Sequence, residues 1–145
     1  MKIVIGCDHA AFVLKNTIRD YLTKKGVDVT DLGAFSLDSV DYPDIGMQVA
    51  SRVSQGSSER GILLCGTGLG MSMVANRYPH VRAALCNDLF SALMSRRHND
   101  ANILVMGGRV IGDVLALEIV NAWLETLFEG GRHQRRLDMF DQLTK

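Results

Sequence analysis

Five short apolar runs constrain this chain more than any other feature: each leads into a polar or glycine-rich stretch and then, in most cases, a segment of helical period. Ile3-Val4-Ile5 opens the series and ends in Gly6-Cys7-Asp8-His9. Leu14, Ile18, Tyr21 and Leu22 then recur at the spacing of one helix face. Gly26 stands where a helix C-terminal glycine belongs, and Val27 with residues 29–32 reads as a second strand closed by Gly33. Residues 34–41 read as a loop. Pro43 suits the first turn of a helix, where its missing N–H does no harm; Ile45, Val49, Ala50 and Val53 line that helix and Gly56 ends it. The third strand, Ile62-Leu63-Leu64, is apolar throughout, as a strand buried on both faces is. It runs straight into Cys65-Gly66-Thr67-Gly68-Leu69-Gly70 and a short helix through Met73 and Val74. Residues 81–85 form the fourth strand, followed by a helix carrying Leu89, Leu93 and Met94. Residues 103–106 form the fifth, followed by Gly107-Gly108-Arg109. Residues 113–128 are the most clearly patterned helix, with Leu117, Val120, Leu124 and Leu127 on one face and Gly130-Gly131 as its breaker. A last helix over about 132–144 carries Leu137, Phe140 and Leu143.

Strands alternating with helices imply parallel pairing through crossovers. The expected fold is a three-layer α/β/α, Rossmann-like arrangement of a five-stranded parallel sheet with helices on both faces. The 145 residues are the length of one domain, which typically runs ~100–200, and leave no room for a separate substrate domain. Sixteen basic residues balance sixteen acidic ones, which argues against a nucleic-acid surface. The three cysteines, Cys7, Cys65 and Cys86, do not suggest a disulfide framework. The apolar run at Met1 is too short for a signal peptide, and none approaches the ~18 residues of a membrane helix. A reduced, cytoplasmic protein with free thiols is expected.

In parallel sheets ligands bind beyond the C-terminal strand ends, near a switch in strand order, so the functional groups are sought there. Three glycines in the five residues 66–70 turn backbone N–H groups toward any anion above the following helix. A thiol just before such a nest lies in a positive field that favours the thiolate. That pairing suits attack on a carbonyl, or removal of a proton beside one while the N–H groups hold the enolate oxygen. The segment is not a P-loop, because Met71 stands where lysine is needed. As a dinucleotide fingerprint its spacing is wrong and it follows the third strand, although Asp88 lies where a ribose-binding acid would. A phosphoryl-receiver domain would need a carboxylate at Cys65. A tight turn beside a small buried thiol is the plainer alternative.

Asp8 and His9 follow the first strand, where the carboxylate suits a hydroxyl or a helix cap and the imidazole suits a phosphate or a proton transfer. His98-Asn99-Asp100 ends the fourth helix; His98 suits acid–base work on a hydroxyl, or merely complements the helix dipole. Arg109 follows the fifth strand. Arg132 and Arg136 share a face of the last helix and suit bidentate grip on a phosphate. Arg132, Arg135, Arg136 and His133 would otherwise be solvated surface. The four histidines have no close ligand spacing, so no metal is expected unless the three strand-end cysteines converge.

Taken together, Gly6-Cys7-Asp8-His9-Ala10, Asp41-Tyr42-Pro43, the segment 65–72, Ser95-Arg96-Arg97-His98-Asn99-Asp100-Ala101-Asn102 and Glu129-Gly130-Gly131-Arg132-His133 resemble the type B ribose-5-phosphate isomerase family over nearly the whole chain. The resemblance implies reversible isomerisation of ribose 5-phosphate and ribulose 5-phosphate, a step of the pentose phosphate pathway, with no metal or cofactor. It implies Cys65 as the base that moves a proton between C1 and C2, with Thr67 assisting and Gly66, Gly68, Leu69 and Gly70 holding the enediolate oxygen. By the same resemblance His98 is the acid of ring opening. Asp8, His9, Tyr42 and Asn99 meet the sugar, and Arg109, Arg132 and Arg136 bind around it and its phosphate. Some relatives use a helix glutamate in place of the cysteine, but Met73-Val74-Ala75 offers none. The galactose-6-phosphate isomerase cousins split the loop cysteine and the Gly-Gly-Arg-His segment between two subunits, whereas this chain has both. A hexose phosphate such as allose 6-phosphate is the alternative substrate. A non-catalytic phosphosugar sensor and a dinucleotide-binding redox domain are the alternative classes. The family builds its site between subunits, so at least a homodimer is expected, with the last helix reaching the partner and a dimer of dimers as the larger option.

Overall fold

Residues 1–142 are described by a computed structural model; Leu143 and the end of the expected last helix lie outside them. The elements are β1 (Lys2–Cys7), α1 (Phe12–Lys24), β2 (Asp28–Asp31), α2 (Tyr42–Ser54), β3 (Arg60–Cys65), α3 (Leu69–Ala75), β4 (Ala83–Leu85), α4 (Leu89–Arg97), β5 (Ile103–Gly107), α5 (Asp113–Glu125) and α6 (Arg132–Asp141). All strand pairs are parallel, in the order β2-β1-β3-β5-β4. Helices α1, α4 and α5 pack as one layer and α2 with α3 as the other. Ile3, Val4, Ile5, Ile62, Leu63, Leu64, Ile103, Leu104 and Val105 are all 0% exposed. This is why the central strands read as unbroken apolar runs: both faces are covered. Each such side chain contributes about 1.5–3 kcal/mol on burial. No described helix is long and apolar enough to cross a membrane.

Local signals hold where they rest on backbone chemistry. Gly26 has φ +77°, and the Gly26 and Val27 N–H groups donate to the carbonyls of Thr23 and Leu22, closing α1 with a Schellman turn. Pro43 sits in the first turn of α2. A short 3-10 turn over His9–Ala11, capped by the Asp8 carboxylate, intervenes between β1 and α1.

Three expectations change. The fourth strand begins at Ala83, because the Asn102 side chain and main chain engage the backbone of Arg82. Helix α5 ends at Glu125 rather than 128 and buries Ala116, Ile119, Val120 and Trp123, while Leu127 is 80% exposed. The Arg60 guanidinium donates to the Trp123 and Leu124 carbonyls at 3.2 and 3.0 Å, and Thr126 turns to extended backbone. A long-range arginine, not the double glycine, therefore terminates the helix.

Lys15, fully buried, donates to Asp31 at 2.7 Å and to the Ala34 carbonyl at 3.0 Å. The rings of Phe12 and Phe35 lie 5.5 and 5.3 Å from its ammonium. Burial pushes the Asp31 carboxyl up, but hydrogen bonds from Lys15 and the Gly33 N–H outweigh it and hold the group below its ordinary 3.8. A carboxylate depressed in the fold contributes stability that is full above the unfolded value and lost as pH falls through the folded one. Denaturant titration of Asp31→Ala is expected to show a loss of about 3–5 kcal/mol near neutral pH, because an unpaired ammonium is left buried. The gap from the native protein should narrow below about pH 3.8. A loss under about 1 kcal/mol would mean that Lys15 is rehydrated.

Candidate active site

The strand order reverses about β1: β2 lies on one flank and β3 on the other, which opens a crevice beyond their C-terminal ends. Backbone pairing continues past the strands there. The Asp8 N–H donates to the Leu64 carbonyl at 3.1 Å, Gly108 to Cys65 at 2.8 Å and Arg109 to Gly66 at 3.0 Å. These bonds bring Asp8, the glycine loop and Arg109 together.

The Cys65 thiol is buried, and its Sγ accepts the Gly68 N–H at 3.1 Å. Gly68 has φ +83°, and a Cβ there would strike the Leu85 side chain and stand 3.1 Å from the Met106 carbonyl carbon. Only glycine permits this turn, and the turn is what aims the N–H at sulfur. Thr67 is exposed, its Oγ accepting from the Leu69 N–H at 3.3 Å. The Tyr42 ring lies against Gly70, where a Cβ would come within 2.6 Å of the ring. The Asp8 carboxylate accepts the Ala10 N–H at 3.0 Å. His9 Nδ1 accepts the Val40 N–H at 3.3 Å, which leaves the proton of the neutral ring on Nε2.

His98, Asn99, Arg132 and Arg136 do not join this group. Helix α4 runs back against the strand direction, so its end meets the start of β5. The Asn102 carbonyl accepts the Gly61 N–H at 2.8 Å at the opening of β3. His98 and Asn99 therefore stand at the opposite pole of the sheet. The five residues of β5 separate the poles by ~16 Å. The Glu129 N–H donates to the Arg97 carbonyl at 3.0 Å and ties the start of α6 to this pole. Arg132 and Arg136 are exposed there, and among the described residues neither pairs with a carboxylate. Asp8, His9, Tyr42, Cys65 to Gly70 and Arg109 thus gather at the strand C-termini, and His98, Asn99, Arg132 and Arg136 stand at the other pole.

Sequence reasoning gave Glu129 and His133 no role. The His98 and His133 rings stack with centroids 4.2 Å apart and planes within 7°. Glu129 Oε2 lies 3.8 Å from His98 Nε2 and 3.7 Å from His133 Nε2. The one legible sign was the i,i+4 spacing of Glu129 and His133 across the double glycine. Burial, the facing His98 and the adjacent Arg132 hold the His133 imidazole below its ordinary range. The three donor atoms lie within 4.8 Å of one another. However, stacked rings keep their lone pairs in two separate, near-parallel planes, whereas a tetrahedral ion needs them to converge ~2.0–2.1 Å from each nitrogen. Cys7 and Cys86 are buried, which pushes each thiol up to about 11. They are neutral thiols, poor ligands for a metal. Asp88 caps α4, its carboxylate accepting from the Ser91 N–H and hydroxyl at 2.7 Å each, so it is occupied as a cap rather than presented to a ribose. A cavity of about 410 Å³ lies at the other pole, lined by Asn76, Arg82, Asn99 and Phe140.

A family model described as Ribose/Galactose Isomerase matches residues 3–140. The chain is 48% identical to ribose-5-phosphate isomerase B of Escherichia coli, over 94% of this chain and 92% of that one. It is 49% identical to D-erythrulose-4-phosphate isomerase of Pectobacterium atrosepticum, over 90% and 87%. The structure superposes on ribose-5-phosphate isomerase B of Clostridium thermocellum with a TM-score of 0.97 at 51% identity, covering 99% of this chain and 97% of the other.

Replacing Gly68 by alanine is expected to cost about 1–3 kcal/mol in stability, from left-handed strain and overpacking. It should also turn the N–H from Cys65 and slow thiol alkylation by iodoacetamide. Unchanged stability and alkylation would refute the role assigned to this turn.

Proposed function

This chain belongs to the ribose/galactose isomerase family, and we propose that it interconverts ribose 5-phosphate and ribulose 5-phosphate through an enediolate at a site shared by two copies. The observation that carries the proposal is the Cys65 sulfur held by the Gly68 N–H at the mouth of the β1–β3 crevice. On the open-chain aldose, the thiolate takes the C2 proton and the bond electrons form the C1–C2 double bond. The loop N–H groups hold the resulting oxyanion. Proton exchange between the two oxygens, assisted by Thr67, and return of the thiol proton to C1 give the ketose. No net oxidation occurs, so no redox cofactor is required. Asp8 and Tyr42 meet the sugar hydroxyls, and His9 and Arg109 bind on the same side.

Ring opening and phosphate binding need His98, Asn99, Arg132 and Arg136, which stand ~16 Å away in the same chain. A second copy supplies them. The strand-end pole is rimmed by exposed Val13, Leu69, Met73, Phe90, Val110 and Val114, an apolar surface of the kind a partner covers. The two poles of one chain then complete two sites in a closed, two-fold dimer. The free thiols suit a reducing cytoplasm.

His98 as ring-opening acid favours a five-carbon substrate, because a four-carbon aldose 4-phosphate has no free hydroxyl to close a furanose. Assaying erythrose 4-phosphate beside ribose 5-phosphate tests this choice, with the five-carbon substrate expected to show the higher kcat/KM.

In Cys65→Ser, isomerase turnover is expected to fall ~10²–10⁴-fold, and exchange of the substrate's C2 proton with solvent should fall with it; native turnover in the variant would sink the assignment. A sensor without activity would bind ribose 5-phosphate yet show no exchange even in the native protein. Co-expressing Cys65→Ser with His98→Asn should restore about a quarter of native activity, because half the dimers are mixed and each mixed dimer rebuilds one intact site. No recovery in verified mixed dimers would place both groups in one chain.

A further inference from the structure

We propose that Glu129 and His133 act as positioning residues for His98, keeping its imidazole in one plane and making it the proton carrier of ring opening. The inference rests on the reading of His98 as the ring-opening acid, and it assigns a purpose to a cluster, one buried imidazole beside a partly exposed one and an exposed carboxylate, that the isomerisation itself does not use.

The stacked rings of His98 and His133 cannot both carry charge at little cost. Two unit charges 4 Å apart repel by about 4 kcal/mol at an effective dielectric constant near 20. Three observations favour a neutral His133 against the opposing pull of the Glu129 carboxylate, 3.7 Å from its Nε2. His133 is 5% exposed, and burial disfavours its cation. The Arg132 Nε–H donates to His133 Nε2 at 3.5 Å, which occupies that lone pair and leaves the ring proton on Nδ1. Arg136, one turn further along α6, adds repulsion against a His133 cation. His98 is partly exposed, caps the end of α4 and faces Glu129 at 3.8 Å. Arg97, on the same helix, stands 4.0 Å from the other Glu129 oxygen and holds that carboxylate in place. The carboxylate directs the His98 Nε2–H, and the flat neutral ring of His133 backs the His98 plane. Neither contact is a hydrogen bond at these distances; the action is electrostatic and steric.

The substrates separate this role from general damage. In ribulose 5-phosphate the C5 oxygen that would close a furanose carries the phosphate, so the sugar is open-chain and needs no ring opening. Exchange of its C1 proton with deuterium oxide therefore reports on proton transfer at Cys65 without the ring-opening step. In Glu129→Gln and His133→Ala, kcat from ribose 5-phosphate is expected to fall about tenfold, part of the ~10²–10⁴ that a positioned acid provides. C1 exchange from ribulose 5-phosphate should stay within about twofold of native. His133→Phe, which keeps a flat neutral ring, should recover most of the loss. An equal fall in exchange and turnover overturns the proposal, as does a His133→Phe variant no more active on ribose 5-phosphate than His133→Ala. Native turnover in His98→Asn would overturn the reading of His98 and this proposal with it. An impaired His98→Asn beside native ribose 5-phosphate turnover in Glu129→Gln and His133→Ala overturns the positioning role alone.

Discussion

The site depends on backbone pairing that outlasts the strands. The Cys65 carbonyl receives the Gly108 N–H, the Gly66 carbonyl receives that of Arg109, and the Leu64 carbonyl receives that of Asp8. Loops normally carry the freedom of unpaired backbone, but here the first residues of three loops are fixed by the sheet that ends beneath them. Gly107 is held in the same way by the Asn87 side chain at 2.9 Å. The Gly68 turn can then deliver its N–H to sulfur with little further ordering. A thiol at a strand end in a less constrained loop would sit near the same place without a fixed donor.

The second constraint is direction. Strands in a parallel sheet share one polarity, and the helices that connect them return against it. Whatever ends a helix lies a strand's length from whatever ends a strand. Cys65 ends a strand and His98 ends a helix, so one chain cannot join them, whatever its side chains do. The 16 basic and 16 acidic residues conceal a corresponding asymmetry. Arg132 and Arg136 stand exposed at one pole, while the thiol, the glycine loop and an apolar rim occupy the other.

Much of this was legible in residue order, for physical reasons. Ile62-Leu63-Leu64 could only be a strand covered on both faces, and Gly26 and Pro43 mark helix ends through their own backbone chemistry. The segment 65–70 announced a nest because glycine density is a backbone property. What could not be read depends on partners distant in sequence. The Arg60 and Arg96 guanidinium groups both lie over the Trp123 ring, at 5.1 and 5.8 Å, and Arg60 ends α5 from 63 residues away. Helical periodicity ran on through Leu127 because nothing local opposed it. Nothing in residue order marks Lys15 as buried; Asp31, Ala34 and two phenylalanine rings enclose it.

Residue order alone settles the alternation of strand and helix, the parallel sheet it forces, and the thiol–glycine loop at its centre, because each follows from local periodicity or backbone freedom. The three-dimensional fold settles which candidate groups share a pole, that the His98 ring rests on His133 beside Glu129, and that His98 and Cys65 stand at opposite ends of one chain's sheet. Those outcomes arise from strand polarity and from contacts between segments 30 or more residues apart, and no local pattern records either.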